Sequence, residues 1–168
     1  MGPTIKSIIT GGMGGLVATS VMTLVLVAAE QAGFVGRFPP KRMTEGMLDA
    51  VERPPRSKLA LDVATLVSHV GYGTSFGSLF GLLYQRLRLA VNPGLQGVIF
   101  GSLLWALGYA GWGPLLGIIP PPHRAQPGRP LTLVPAHGVY GWTLGTLVAR
   151  WFGAPPATAQ RRRRTARG

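Results

Sequence analysis

The sequence predicts an all-α polytopic membrane protein, with four transmembrane helices forming a tandem repeat of two helical hairpins. Three observations predict it. Asp, Glu, Lys and Arg make up only 13% of the 168 residues, against about 25% in an ordinary soluble domain. The charges are also segregated, since the stretches 7–29, 63–85, 89–123 and 130–149 contain none of them. Finally, one motif occurs twice, at 69–79 and 137–147, which is the mark of an internal duplication. The chain is too apolar, at 46%, for a disordered basic protein. It has no cysteine, which excludes disulfides, a Cys-ligated zinc and a thiol nucleophile.

Crossing a hydrocarbon core of about 30 Å takes about 20 helical residues, so each charge-free stretch supplies one span. The first is 7–29. Gly11, Gly12, Gly14 and Gly15 suit close helix packing there, better than the alternative of a signal peptide ending at Val27-Ala28-Ala29. The loop 31–60 holds a short amphipathic helix, with Met43, Met47, Leu48 and Val51 on one face, Glu45, Asp49 and Glu52 opposite, and Pro54-Pro55 at its end. Such a pattern suits a helix lying on the membrane surface or on the bundle. The second span is 63–85. Asn92-Pro93-Gly94 reads as a turn and Gly113-Pro114 as a break, which leaves roughly Leu95 to Trp112 as the third span, taken with the break as about 95–116. The fourth is about 131–151, with Pro135 in its first turn, where a missing N–H is harmless. One transmembrane domain thus covers 1–152, and 153–168 is a basic disordered tail. Its Arg161 to Arg164 run reads as a topology signal or a lipid contact rather than a nucleic-acid patch. Four spans put both termini on one side, where nine Lys and Arg stand without an acid against eight opposite. With Tyr84, Trp151 and Phe152 as interfacial anchors, this predicts cytoplasmic termini.

His69-Val70-Gly71-Tyr72-Gly73-Thr74-Ser75-Phe76-Gly77-Ser78-Leu79 aligns with His137-Gly138-Val139-Tyr140-Gly141-Trp142-Thr143-Leu144-Gly145-Thr146-Leu147 at an offset of 68. Both read H-x-x-Y-G-x-x-x-G-[ST]-L. At an offset of 82, Pro39-Pro40-Lys41-Arg42 aligns with Pro121-Pro122-His123-Arg124, Gly15 with Gly97 and Ser20 with Ser102. Repeat 1 is therefore about 7–85 and repeat 2 about 94–152, two hairpins in the same orientation. The P-P-[KH]-R loops, the H-x-x-Y-G-x-x-x-G helices and Gly108-Tyr109-Ala110-Gly111-Trp112 resemble the YagU-like group of small bacterial inner-membrane proteins of unknown function. That resemblance implies a polytopic helical protein of the bacterial inner (cytoplasmic) membrane and carries no catalytic or binding residues with it.

Residues four apart share a helix face, so Gly73, Gly77 and Gly81 form one stripe of small residues, and Gly141, Gly145 and Ala149 another. Such stripes let helices pack closely where lipid supplies no hydrophobic drive. His69, Tyr72, His137 and Tyr140 form the candidate polar intramembrane site, because an ionisable side chain inside a membrane marks function by default. Asp62 lies two turns before His69, but its counterpart is Pro130, so a symmetric proton relay fails. No nucleophile elbow, phosphate loop, H-E-x-x-H or paired carboxylates are present, so no catalytic residue is assigned and no enzyme is expected. The leading expectation is a non-enzymatic structural or stress-related membrane component whose His-Tyr pairs cement the halves. The alternatives are a proton, ion or small-solute pathway between the hairpins using His69 and His137, and a haem or metal site between the two imidazoles. No cofactor is required. Membrane lipids, and for an oligomer a second copy, are the expected partners, and nucleic acid is not.

Overall fold

Helix α1 (Pro3–Gln31) begins on a proline, whose missing N–H and fixed φ suit a first turn. Its side chains are arranged in reverse of a soluble helix. Ser7, Gly11, Gly14, Gly15, Ala18 and Thr19 are buried, while Ile8, Ile9, Met13, Leu16 and Val17 face outward. The remaining order is α2 (Pro39–Ala50), α3 (Lys58–Leu87), α4 (Pro93–Trp105), a π-helical segment (Ala106–Trp112), the single turn α5 (Gly113–Leu115), a 3-10 turn (Pro122–Arg124) and α6 (Gly128–Phe152). This computed structural model describes residues 2–35, 38–55, 57–87, 89–124 and 128–152, with Pro122 and 128–131 described by their backbone alone. The predicted tail 153–168 lies outside the described residues, as do Arg37, Arg56 and Arg88. Among the described residues all regular structure is helical, as expected of an all-α chain.

Two helical stretches, Pro3–Gln31 and Pro93–Leu115, are long and apolar enough to cross a membrane. Helices α3 and α6 are long enough at 30 and 25 residues. Their histidines, hydroxyl residues and glycines lower their apolarity.

Helix α1 packs on α3, α4 packs on α6, and α1 against α6 joins the pairs. Glycine sets the spacing within each pair. A Cβ on Gly15 would strike the Gly73 carbonyl, and one on Gly77 would stand 2.6 Å from the Gly15 Cα. In the other pair, Gly97 lies against the Gly141 carbonyl, and Gly145 against the Pro93 carbonyl. Gly81 meets Ser7 and Gly11. Residues aligned by the offsets of 82 and 68 therefore meet equivalent partners: Gly15 lies on Gly73 as Gly97 lies on Gly141. Between the pairs, Leu144 and Val148 of α6 are fully buried, both close to Gly14 of α1, and Phe80 of α3 meets Phe100 of α4 with ring centroids 5.2 Å apart.

Three expectations need correction. Pro135 lies in the interior of α6, because that helix starts at Gly128 rather than near 131. The third helix is not uniformly α-helical: past Trp105 it widens into the π segment, where Gly111 leaves helical geometry at φ −102°, ψ −107°. Val51 falls beyond the end of α2 and is exposed, and Glu52 takes a left-handed φ of 55° that reverses the chain.

Helix α2 lies on the bundle. Lys41 forms a salt bridge to Asp62 of α3 at 2.5 Å, and the Thr44 and Ser68 hydroxyls are hydrogen-bonded at 3.0 Å. The ammonium beside it holds the Asp62 carboxyl below its usual range. Gly46 lets α2 sit directly against the backbone of Ile118. Asp62 is thus engaged by α2, and Glu30 accepts the Phe38 N–H at 2.9 Å, which fixes the entry to α2.

Candidate functional site

All four residues of the predicted polar site line one cavity of about 410 Å³. Its walls are Thr19, Met22 and Leu26 from the C-terminal half of α1, Ser68 to Gly73 at the middle of α3, Leu104 to Trp112 at the end of α4 and the π segment, and Leu133 to Tyr140 in the first half of α6. The walls from α1, α4 and α6 belong to the halves of those helices on the α2 side, and the wall from α3 to its middle. Met43, Met47 and Arg42 of α2, with Ile119, line that end. The glycine contacts nearest the termini, and the buried Leu144, Val148, Phe80 and Tyr84, fill the opposite end. The bundle is therefore closed at the termini and hollow under α2.

The two His-Tyr pairs play different parts. The Tyr140 hydroxyl donates to the Gly73 carbonyl at 2.7 Å, a buried bond from the second hairpin to the first. The Tyr72 hydroxyl instead lies beside the Trp112 indole, whose N–H can only donate. The His137 Nδ1 lies 2.8 Å from the Leu133 carbonyl oxygen. A carbonyl only accepts, so Nδ1 carries the hydrogen, and the neutral ring keeps Nε2 as an acceptor. The Nε2 of His69 is buried and has no hydrogen-bond partner among the described residues. His and Tyr at i and i+3 are neighbours on a helix, but neither histidine bonds its own tyrosine. Near Gly108, the Trp112 Nε1 and the Tyr72 hydroxyl approach to 3.7 and 3.8 Å of where a Cβ would stand. The π segment thus brings an indole into the site, at the kind of helical irregularity often found at functional positions. Among the described residues no group of three His, Cys, Asp or Glu converges, so the two imidazoles have no third ligand of that kind.

A family model of this chain's type matches residues 5–159, a span that includes both hairpins and α2. The chain belongs to DUF6789, a family of unknown function. No characterised protein and no solved structure matches this DUF6789 chain. Nothing in these comparisons supports a place in the YagU-like group.

Sequence reasoning missed several wall residues of the DUF6789 chain. Arg42 belongs to a motif noticed only as a marker of the repeat, and Trp112 to a stretch noticed only for its resemblance. Met22, Leu104 and Leu133 are indistinguishable in sequence from lipid-facing residues.

Proposed function

We propose that this chain is a non-enzymatic, multi-pass protein of the bacterial inner membrane that holds a small, largely apolar solute in the chamber beneath α2. The observation that carries this reading is the convergence of His69, Tyr72, His137 and Tyr140 on one cavity whose remaining walls are mostly apolar. At about 410 Å³ it falls within the range of about 300–1,000 Å³ typical of ligand sites, which likewise combine apolar walls with a few polar groups. The filled terminal end favours a chamber over a continuous ion or proton path. The Tyr140 bond accommodates the structural reading in part, since one pair can cement the hairpins while the other serves the chamber.

Four crossings, as two copies of one hairpin, form part of this proposal. Two of the helices meet the length and apolarity needed. Support for α3 and α6 comes from their outward faces, where Leu59, Val63, Leu66, Val134 and Trp142 are exposed, more apolar surface than a soluble monomer leaves uncovered. The equivalent glycine contacts support the tandem repeat. Lipids are then the partners of these faces, and cytoplasmic termini follow from the acid-free basic residues. Relation to the YagU-like group is proposed on the P-P-[KH]-R and H-x-x-Y-G motifs alone.

The native chain lacks cysteine, so single cysteines report topology cleanly. With a membrane-impermeant maleimide, Asp49→Cys is expected to label in intact cells with a permeable outer envelope, and Gly168→Cys only after lysis. Labelling of both from the same side would reject the four-span topology. For the chamber, protein in phosphatidylcholine nanodiscs is expected to bind the neutral fluorophore N-phenyl-1-naphthylamine saturably above empty nanodiscs. Met22→Phe and Leu133→Phe, which add bulk at the walls, are each expected to weaken binding by about tenfold, or 1.4 kcal/mol. A signal no greater than that of empty nanodiscs would end the chamber reading.

A further inference from the structure

Among the described residues that line the chamber, Arg42 carries the one formal charge. Its position is unusual for the same reason that the repeat is imperfect. The P-P-[KH]-R motif occurs in both halves, but in the second half Pro122–Arg124 forms a 3-10 turn where His123 and Arg124 are exposed, and neither lines the chamber. In the first half the motif opens α2. There Lys41 is engaged by Asp62, and the equivalent of Asp62 in the second half is Pro130, which offers no carboxylate. The Lys41–Asp62 pair therefore draws only the first copy of the motif onto the bundle. The next residue, Arg42, is half-buried at the cavity.

Arg42 has no counter-ion among the described residues. The salt bridge found there is Lys41–Asp62. Of the other acids, Glu30 accepts a backbone N–H, Glu45 is itself engaged, and Asp49 and Glu52 are solvent-exposed, with Glu52 past the end of α2. Turned toward the apolar cavity, the guanidinium would meet a lower effective dielectric, where an opposite charge is held more strongly than in water. Its planar fork of N–H groups matches a carboxylate or phosphate in bidentate fashion. A neutral solute would leave this charge unmatched.

Building on the chamber reading above, we infer that its occupant is a single-chain anionic amphiphile, with its carboxylate or phosphate on Arg42 and its hydrocarbon chain among Met22, Leu26, Leu104 and Leu133. The positive head site on α2 and the apolar walls from four helices supply the two halves of that chemistry. Free fatty acids and lysophospholipids share it.

Displacement of N-phenyl-1-naphthylamine from protein in phosphatidylcholine nanodiscs tests the assignment. Dodecanoate is expected to displace the probe at a concentration about tenfold lower than dodecanol, in keeping with a hydrogen bond to a charged group. Lysophosphatidylglycerol, compared with lysophosphatidylcholine, distinguishes the lipid source from the free acid. Arg42→Gln is expected to bind the neutral probe as wild type does but to lose the preference for the anion, and Arg42→Lys to keep part of it. Because differences in bilayer partitioning are the same for wild type and variant, the contrast between them isolates the guanidinium. Equal displacement by dodecanoate and dodecanol in the wild type, joined by equal displacement by the two lysolipids, would overturn the inference and leave the chamber intact. A preference that survives Arg42→Gln would also overturn it. Failure of the wild type to bind the neutral probe at all would remove both the inference and the chamber on which it rests.

Discussion

A Gly141→Leu chain is expected to lose its folded form in detergent, with a fall in melting temperature of at least about 10 °C or no cooperative transition. Gly141 sits against the carbonyl of Gly97, and a Cβ there would also stand 2.9 Å from the Val98 amide nitrogen. All three nearest atoms are backbone, so no flexible side chain can move aside. The strain should reach or exceed the upper end of the usual overpacking cost of about 1–3 kcal/mol, and each kcal/mol shifts melting by roughly 2–4 °C at this size. The control lies three residues earlier on the same helix. Gly138 has nothing within 4 Å of a built Cβ, so Gly138→Ala should be neutral or stabilising by up to about 1 kcal/mol through helix propensity. If the two variants melt alike, the close approach of α4 and α6 is wrong.

Leu144→Ala is expected to destabilise by about 2–5 kcal/mol, the range for removing a fully buried leucine. Leu144 is 0% exposed, and its Cδ1 lies 3.1 Å from where a Cβ on Gly14 would stand. It therefore fills the junction between the hairpins at the closed end. Within a membrane the loss is of packing contacts rather than of water exclusion, but a void still leaves its lining atoms without neighbours. Leu24→Ala provides the comparison: Leu24 is 70% exposed, and its truncation should change stability by less than about 0.5 kcal/mol. Thermal melts of the three proteins in one detergent suffice. Equal losses for Leu144 and Leu24 would mean that the hairpins do not meet through this residue.

Much of this organisation can be read from residue order because it follows from local rules. A charge-free run of about 20 residues is a helix that water does not need to solvate, and glycines four apart lie on one face whatever surrounds them. The pairing of His69 with His137 was visible because the same motif is written twice in the sequence. What residue order hid depends on the third dimension. Arg42 is one of 17 Lys and Arg residues, and nothing local distinguishes it from Arg124. Its place at the chamber follows from a salt bridge made by its neighbour to a helix that starts 16 residues later. The π segment was equally hidden, since Gly113-Pro114 suggested a break but not the change of helical pitch before it. The early start of α6 escaped notice because a proline at 135 invites the reader to place a helix N-terminus there, when neighbouring helices can support an interior one.

The contrast between the ends of the bundle has a mechanical meaning. Where backbones touch through glycine, nothing compliant lies between the helices, and that end behaves as a clamp. Toward α2 the helices are separated by methionine and leucine side chains and by open volume, which can give way in small steps. A structure fixed at one end and yielding at the other acts as a pair of tongs. Whatever enters or leaves the chamber would be registered as a spreading of the tips under α2, with the opposite helix ends held still at the pivot.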